Sequence, residues 1–220
     1  MAAIRHPWPK TVARARAIQQ QLRPRVIKAD RLGSVRFVAG IDVGFEDDGR
    51  VTRAAVALLA FPALTLHEQV VVRRATRFPY VPGYLSFREI PAVLAALARL
   101  RTRPDLLVCD GQGYAHPRRF GLASHLGLVA GIPSIGAAKS LLIGSHAPVP
   151  ARRGCWRPLL HDGEVIGAAL RTRTAVRPMY VSIGHRVSLE TAMAYVLQLA
   201  PRYRLPETTR RAHKLASPKY

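Results

Sequence analysis

The sequence predicts an α/β fold, a mixed β-sheet in which an antiparallel three-strand meander is continued by parallel strands and flanked by helices. Three observations carry this expectation. Three apolar, strand-like segments follow one another within residues 35–76, separated only by turn residues. From Arg88 to Ala138, helix-like and strand-like segments alternate, as they do when parallel strands are joined by right-handed crossovers. With 220 residues, 49% of them hydrophobic and 21% charged, the chain can bury a full core as one domain spanning residues 1–220.

Residues from about Thr11 to Lys28 read as a basic helix whose regularity Pro24 limits. Val35–Phe45, Val51–Phe61 and Thr65–Thr76 read as strands. Asp47-Asp48-Gly49-Arg50 turns the first hairpin through its Asp-Gly pair, and Pro62-Ala63 begins the next turn. Pro79 to Phe87 is a stiff loop, and Arg88–Leu100 a helix with apolar residues at Ile90, Val93, Leu94, Leu97 and Leu100. A strand at Leu106–Asp110, a helix from about Arg119 to Ala130 and a strand at about Ser134–Ala138 come next. After a Gly-, Pro- and Ala-rich linker (residues 140–154) a second small set of strands is expected at Trp156–Leu160, Val165–Arg171 and Met179–Ser182, with Asp162-Gly163 as a hairpin turn. Helices at Leu189–Leu199 and from about Pro206 to Ala216 finish the chain. This order is the layout of the ribonuclease H-like fold, in which the first strand lies beside the strand that ends at Asp110.

The charge is far from that of an average globular protein. Lysine and arginine number 34 against 13 acidic residues, a formal net charge of +21, which calls for a partner rich in negative charge, above all nucleic acid. A membrane surface fits less well, because no basic helix carries an aromatic face. The apolar stretch Ala54–Leu66 contains Pro62 and is too short to span a bilayer. The N-terminal residues lack the apolar core of a signal peptide. Cys109 and Cys155 form no metal-binding spacing, and Cys109 reads as a small buried hydrophobe. Zinc is disfavoured, and a cytoplasmic location is expected.

In so basic a chain, acids inside apolar strands carry information. Asp42 interrupts Val38-Ala39-Gly40-Ile41-Asp42-Val43-Gly44, and Asp110 ends Leu106-Leu107-Val108-Cys109-Asp110-Gly111. Such carboxylates are costly unless a cation or hydrogen-bond donors receive them. By alternation Asp42 shares a face with Gly40 and Gly44, which are expected to leave open space above it. Glu89, expected in the first turn of its helix, can reach back over the sheet edge. Three clustered carboxylates make sense around a divalent cation. Mg²⁺ suits oxygen ligands, with Mn²⁺ as a substitute, and such an ion activates water and stabilises a leaving oxygen in phosphodiester cleavage. Other readings stay open: Asp42 can cap a turn or pair with an arginine, Glu89 can be an ordinary helix N-terminal acid, and Asp110 can be a turn residue before glycine. Tyr80, held in Pro79-Tyr80-Val81-Pro82-Gly83, is either a rigid wedge for a base stack or an exposed tyrosine packing on Tyr84.

Several strings together resemble the endonuclease V family: Gly40-Ile41-Asp42-Val43, the run from Pro79 to Glu89, the run from Asp110 to Arg119, Ile135-Gly136-Ala137-Ala138-Lys139-Ser140, the run from Gly163 to Arg173, and Arg204-Leu205-Pro206-Glu207-Thr208-Thr209-Arg210-Arg211-Ala212-His213. They occur in the family's order and cover nearly the whole chain. The resemblance implies a Mg²⁺-dependent endonuclease acting on DNA with deaminated bases, chiefly deoxyinosine. It would cut the second phosphodiester bond on the 3′ side of the lesion and leave 3′-hydroxyl and 5′-phosphate ends. It further implies that Asp42 and Asp110 are metal ligands, that Glu89 completes the carboxylate set, and that Lys139 and His213 belong to the catalytic site. Without it, His213 reads as a surface helix histidine and Lys139 as a solvated loop lysine. The same resemblance makes Tyr80 the tip of a strand-separating wedge and assigns Gly83, Leu85, Gly111 and Leu122 to a base pocket built largely of main chain, which Gly113 also suits. His116 falls at the site edge, while Arg88, Arg118 and Arg119 are candidate phosphate contacts. The chain departs from the family pattern at Gly44, Phe45 and Ile183, none of them a metal ligand. Two alternatives accompany this reading: a ribonuclease cutting inosine-containing RNA, and a non-catalytic basic nucleic-acid-binding module. A monomer without an obligate protein partner is expected.

Overall fold

The computed structural model describes residues 4–217; the first and last three residues of the expected domain lie outside the described part. Helix α1 (Val12–Leu22) is capped by Thr11, whose hydroxyl accepts from Arg14 N–H. It ends earlier than expected. Pro24 has no N–H to continue the ladder, and Arg23–Arg25 tighten into a 3-10 turn. Strands β1 (Phe37–Glu46), β2 (Val51–Ala60) and β3 (Thr65–Ala75) form the meander. In the first hairpin Asp47, Asp48 and Gly49 all have positive φ, which Asp and Gly tolerate.

Helix α2 (Leu85–Leu97) begins three residues before the expected start, because the turn closed by Tyr84 N–H on Val81 O feeds directly into it. Glu89 is therefore its fifth residue, in the second turn, beyond the reach of the helix N-terminal dipole. The helix also stops before Leu100. Strand β4 (Leu106–Cys109), helix α3 (Leu122–Ala130) and strand β5 (Ser134–Ala138) follow. Arg119 takes a φ of 54° and delays α3 to Leu122. Strands β6 (Trp156–His161), β7 (Glu164–Leu170) and β8 (Met179–His185) precede α4 (Leu189–Leu199) and α5 (Glu207–Ala216).

All these strands form one sheet, in the order β3-β2-β1-β4-β5-β8-β7-β6. The later strands extend the first set rather than standing apart, because β8 runs three residues past its expected end and pairs antiparallel with β5. β1, β4 and β5 are parallel neighbours. Alternation splits the core between the two faces. Ala39, Ile41, Leu107 and Cys109 pack with Ile90, Val93 and Leu126 of α2 and α3, whereas Val38, Leu106 and Val108 pack with Val196 and Leu199 of α4. The arrangement is that of the ribonuclease H-like fold. Both cysteines are free, and no helix of the described residues is long and apolar enough to cross a membrane.

Candidate active site

Register sets the centre. Ile41 pairs with Cys109 at the end of the parallel β1·β4 ladder, and Asp110 N–H donates to Ile41 O at 3.1 Å. The carboxylates of Asp42 and Asp110 thus emerge side by side. Helix α5 adds His213, whose Nδ1 lies 2.7 Å from Asp42 Oδ2. One ligand atom from each of Asp42, Asp110 and His213 lies within 4.8 Å of the others.

The glycines beside Asp42 do not leave the open space expected of them. A Cβ on Gly40 would lie 2.1 Å from Thr208 C and O, and one on Gly44 2.3 Å from Ala216 O. The room is filled by the backbone of α5. The glycines let that helix lie directly on β1, and this contact brings His213 to Asp42. The departure at Gly44 likewise serves helix packing.

Both carboxylates have positively charged or donor partners. Asp42 Oδ1 accepts from Val43 N–H at 2.8 Å, and Lys139 Nζ pairs with Asp110 Oδ2. Arg204 holds the Lys139 carbonyl and the Pro178 carbonyl. Burial raises the pKa of Asp110, while the hydrogen bond from Lys139 opposes the rise. Glu89 stays outside the compact group. It is almost fully buried, and burial, followed by the fields of Asp42 and Asp110, pushes its pKa up to about 8.

Next to this group lies a cleft of about 420 Å³. Tyr80, Gly83, Leu85, Glu89, Asp110, Gly111, His116, Leu122 and Lys139 all line it, so the structure gathers most of the expected site residues there. Tyr80 is 67% exposed at its mouth. The carbonyl of Gly83 is already committed, accepting from Gln19 Nε2 (3.0 Å), Arg118 Nη2 (2.6 Å) and His116 Nε2 (3.1 Å). His116 Nδ1 accepts from Arg118 N–H, which fixes the neutral tautomer with its proton on Nε2. Burial, reinforced by Arg118, lowers its pKa to about 4. His116 therefore positions the loop, and Arg118, expected on phosphate, is occupied by Gly83, by Gln19 and by the ring of Tyr84.

Three expected residues lie elsewhere. Gly113 does not line the cleft; a Cβ there would meet Ile183 O at 2.1 Å, so its missing side chain serves the approach to β8. Arg88 turns away from the cleft, donating to Phe78 O and Gly49 O and lying 4.3 Å over the ring of Phe45. Arg119 is buried and pairs with Glu164 at 2.8 Å. Sequence reasoning missed Gln19, Gln112 and the exposed pair Leu141 and Leu142. The last three line the cleft, while Gln19 holds its wall. A lone glutamine or leucine carries no chemical signature, and only the fold gives these a role.

An acid pair on adjacent parallel strands of a ribonuclease H-like sheet, joined by a histidine and a lysine, defines a nuclease of that fold. The family model for endonuclease V matches residues 20–214. Endonuclease V of Nostoc sp. is 60% identical over 213 residues, 96% of each chain. The solved endonuclease V from Streptomyces avermitilis is 47% identical, with a TM-score of 0.91 over 98% of this chain and 96% of that one. Endonuclease V from Ciona intestinalis, solved with a DNA containing an inosine followed by a ribo-adenosine, is 28% identical, with a TM-score of 0.83 over 94% of this chain and 97% of that one. The chain belongs to the endonuclease V family and is an endonuclease.

Proposed function

We propose that this protein is a Mg²⁺-dependent repair endonuclease that recognises deaminated bases in DNA, chiefly deoxyinosine. On this reading it hydrolyses the second phosphodiester bond 3′ to the lesion, leaving 3′-hydroxyl and 5′-phosphate ends. The observation that carries the reading is the group of Asp42, Asp110 and His213 within 4.8 Å, beside a cleft that Asp110 also lines. The donor set suits a hard divalent cation, since two carboxylates supply oxygen and leave room for water ligands. When bound, Mg²⁺ supplies charge neutralisation and lowers the pKa of water.

Asp42 and Asp110 would hold the metal, with His213 at its exposed side and the buried Glu89 completing the charge. Lys139, tethered to Asp110, is placed to neutralise the scissile phosphate or hold the attacking water. Tyr80 would wedge into the stack where a nucleotide leaves it. Hypoxanthine differs from adenine in a 6-keto oxygen and an N1 proton, which a main-chain donor and acceptor distinguish. Gly83 can offer only its N–H, because its carbonyl is taken. Gly111 and Leu122 form the adjoining wall, a Cβ on Gly111 falling 3.2 Å from Leu122 Cδ2. The relative bound to inosine-containing DNA supports this substrate. The ribo-adenosine in that complex keeps inosine-containing RNA as a second reading. Because the chain is an endonuclease, the non-catalytic reading falls away.

The test is a labelled oligonucleotide carrying one inosine, incubated with Mg²⁺. A nick one nucleotide beyond the inosine is expected, and its absence with folded protein overturns the proposal. Matched DNA and RNA single strands separate the two substrate readings by rate.

A further inference from the structure

A second cavity, of about 740 Å³, is lined by Phe78, just before the Tyr80 loop, and by Phe87, just after it. Its aromatic wall is Trp8, Phe78 and Phe87; Phe87 lies 5.7 Å from Phe78 and 6.5 Å from Trp8, centroid to centroid. Lys10, Arg74 and Arg77 supply its uncommitted charge, a fourth lining cation, Arg88, being held by Phe78 O and Gly49 O, and no carboxylate lines it. Lys10, Arg74 and Arg77 are exposed. Among the described residues Lys10 and Arg77 have no ion pair, and Arg74 has only a long contact to Pro91 O at 3.4 Å. Trp8 is 37% exposed. Trp8 and Lys10 also precede residue 20, where the match to the family model begins.

The position of this cavity decides its occupant. The loop leaves it at Phe78 and reaches the cleft beside the acid group at Tyr80. The rigid turn Pro79–Gly83 thus runs from one cavity to the other. A strand cut at Asp110 must occupy the Tyr80 side. The strand parted from it by the loop then falls on the Phe78 side, against free cations and an exposed indole. Unpaired cations suit phosphates, and an aromatic face suits an unstacked base.

We infer that the cavity lined by Trp8, Lys10, Arg74 and Arg77 seats the uncut strand of a duplex substrate, its phosphates on the cations and a base against Trp8. The inference rests on the proposed cleavage of a lesion strand at the Asp42–Asp110 centre. It assigns the second strand a site of its own.

The experiment measures binding by fluorescence anisotropy with a chelator present, so that nothing is cut. The probes are one inosine-containing oligonucleotide, alone and annealed to its complement. The Lys10→Ala, Arg77→Ala double variant should weaken duplex binding about tenfold, and lower the slope of log K against log salt by about 2, one for each lost phosphate contact. Single-strand binding should change less than twofold. Equal losses on both probes would assign the cavity to the flank of the cut strand and overturn the inference, as would no loss on either. A Trp156→Phe protein, in which Trp8 is the remaining tryptophan, gives a second readout: its fluorescence should be quenched by duplex and not by single strand. Equal quenching by the two would also overturn the inference. Wild-type preference for inosine over adenine in the single strand reports on the proposed function alone, so the two failures are distinguishable.

Discussion

The acid group and the neighbouring cleft are built from opposite materials. Asp42, Asp110 and His213 act through ionisable side chains, each set by one element: β1, the end of β4, and α5. The cleft offers main chain and small or apolar side chains at Gly83, Leu85, Gly111 and Leu122, and its polar atoms are shaped by hydrogen bonds elsewhere. On the proposed function the first is a matter of charge, and should fail when one atom set is removed. The second is a matter of placement, and degrades in steps as its supports are removed. The family placement makes the chain an endonuclease; this contrast says where each part of that activity should be fragile.

The contrast is sharpest at Asp110, which belongs to both regions. On the proposed function, Asp110→Ala should lower the rate of inosine-directed cleavage by about 10³-fold or more, because the centre would lose one of the two carboxylates in the Asp42, Asp110 and His213 group. Binding of the same oligonucleotide should persist, since removing a carboxylate reduces repulsion toward phosphate. Chelation of divalent cations in wild type should mimic the variant. Cleavage surviving at a tenth of the wild-type rate would break the division between the two regions.

The next largest effect belongs to packing beneath the acid group. Gly40→Ala places a methyl group against the main chain of Thr208 and Thr209, which cannot give way as a side-chain tip can. We expect a loss of about 3 kcal/mol in urea unfolding. Cleavage should also fall in the surviving folded protein, because α5 must move and carry His213 with it. Unchanged stability would show that α5 is not held on β1 by this contact.

Glu89 links the two regions through its proton. Its pKa is raised from 4.5 to about 8, chiefly by burial. Between those values Glu89 in the folded, metal-free protein holds a proton that the unfolded chain has released, so its contribution to stability should fall as pH rises through that window. The slope contributed is at most about 1.4 kcal/mol per pH unit. Thermal unfolding in chelator from pH 5 to 8 measures it. The difference in slope between wild type and Glu89→Gln isolates it, because the buried His116, His125 and His185, whose pKa values burial lowers, act with the opposite sign below neutrality in both proteins. Equal slopes in both proteins would remove Glu89 from the charge balance of the centre.

These tests also mark what the sequence could and could not reveal. The meander, the crossover helices and the adjacency of β1 and β4 were legible because alternation and turn residues are local signals. Asp42 and Asp110 stood out because acids in apolar strands of a basic chain are costly. The purpose of Gly40 and Gly44 was not legible, since a glycine records only that something comes close, and here it was the backbone of a helix 168 residues from Gly40, at Thr208. The start of α2 was obscured by Pro82-Gly83, whose turn leads into the helix rather than holding it off. Arg88, Arg118 and Arg119 looked alike as cations, yet each is engaged by partners far away in sequence. The role of Gln19 depends on α1 reaching the loop at Gly83, which no local pattern announces.

The smallest expected effect lies in the cleft's support. His116 is one of three donors on the Gly83 carbonyl, so His116→Ala leaves Gln19 and Arg118 in place. One neutral hydrogen bond is worth roughly 0.5–1.5 kcal/mol, or about 2- to 12-fold in discrimination. The expected outcome is a loss of that size in the ratio of kcat/KM for inosine over adenine, with little change in nonspecific binding. Because burial holds His116 neutral down to about pH 4, the loss should be the same from pH 6 to 8. A wild-type rate profile with an inflection near neutrality that His116→Ala abolishes would instead make His116 a proton carrier, and the cleft would then share the ionisable chemistry of the acid group beside it.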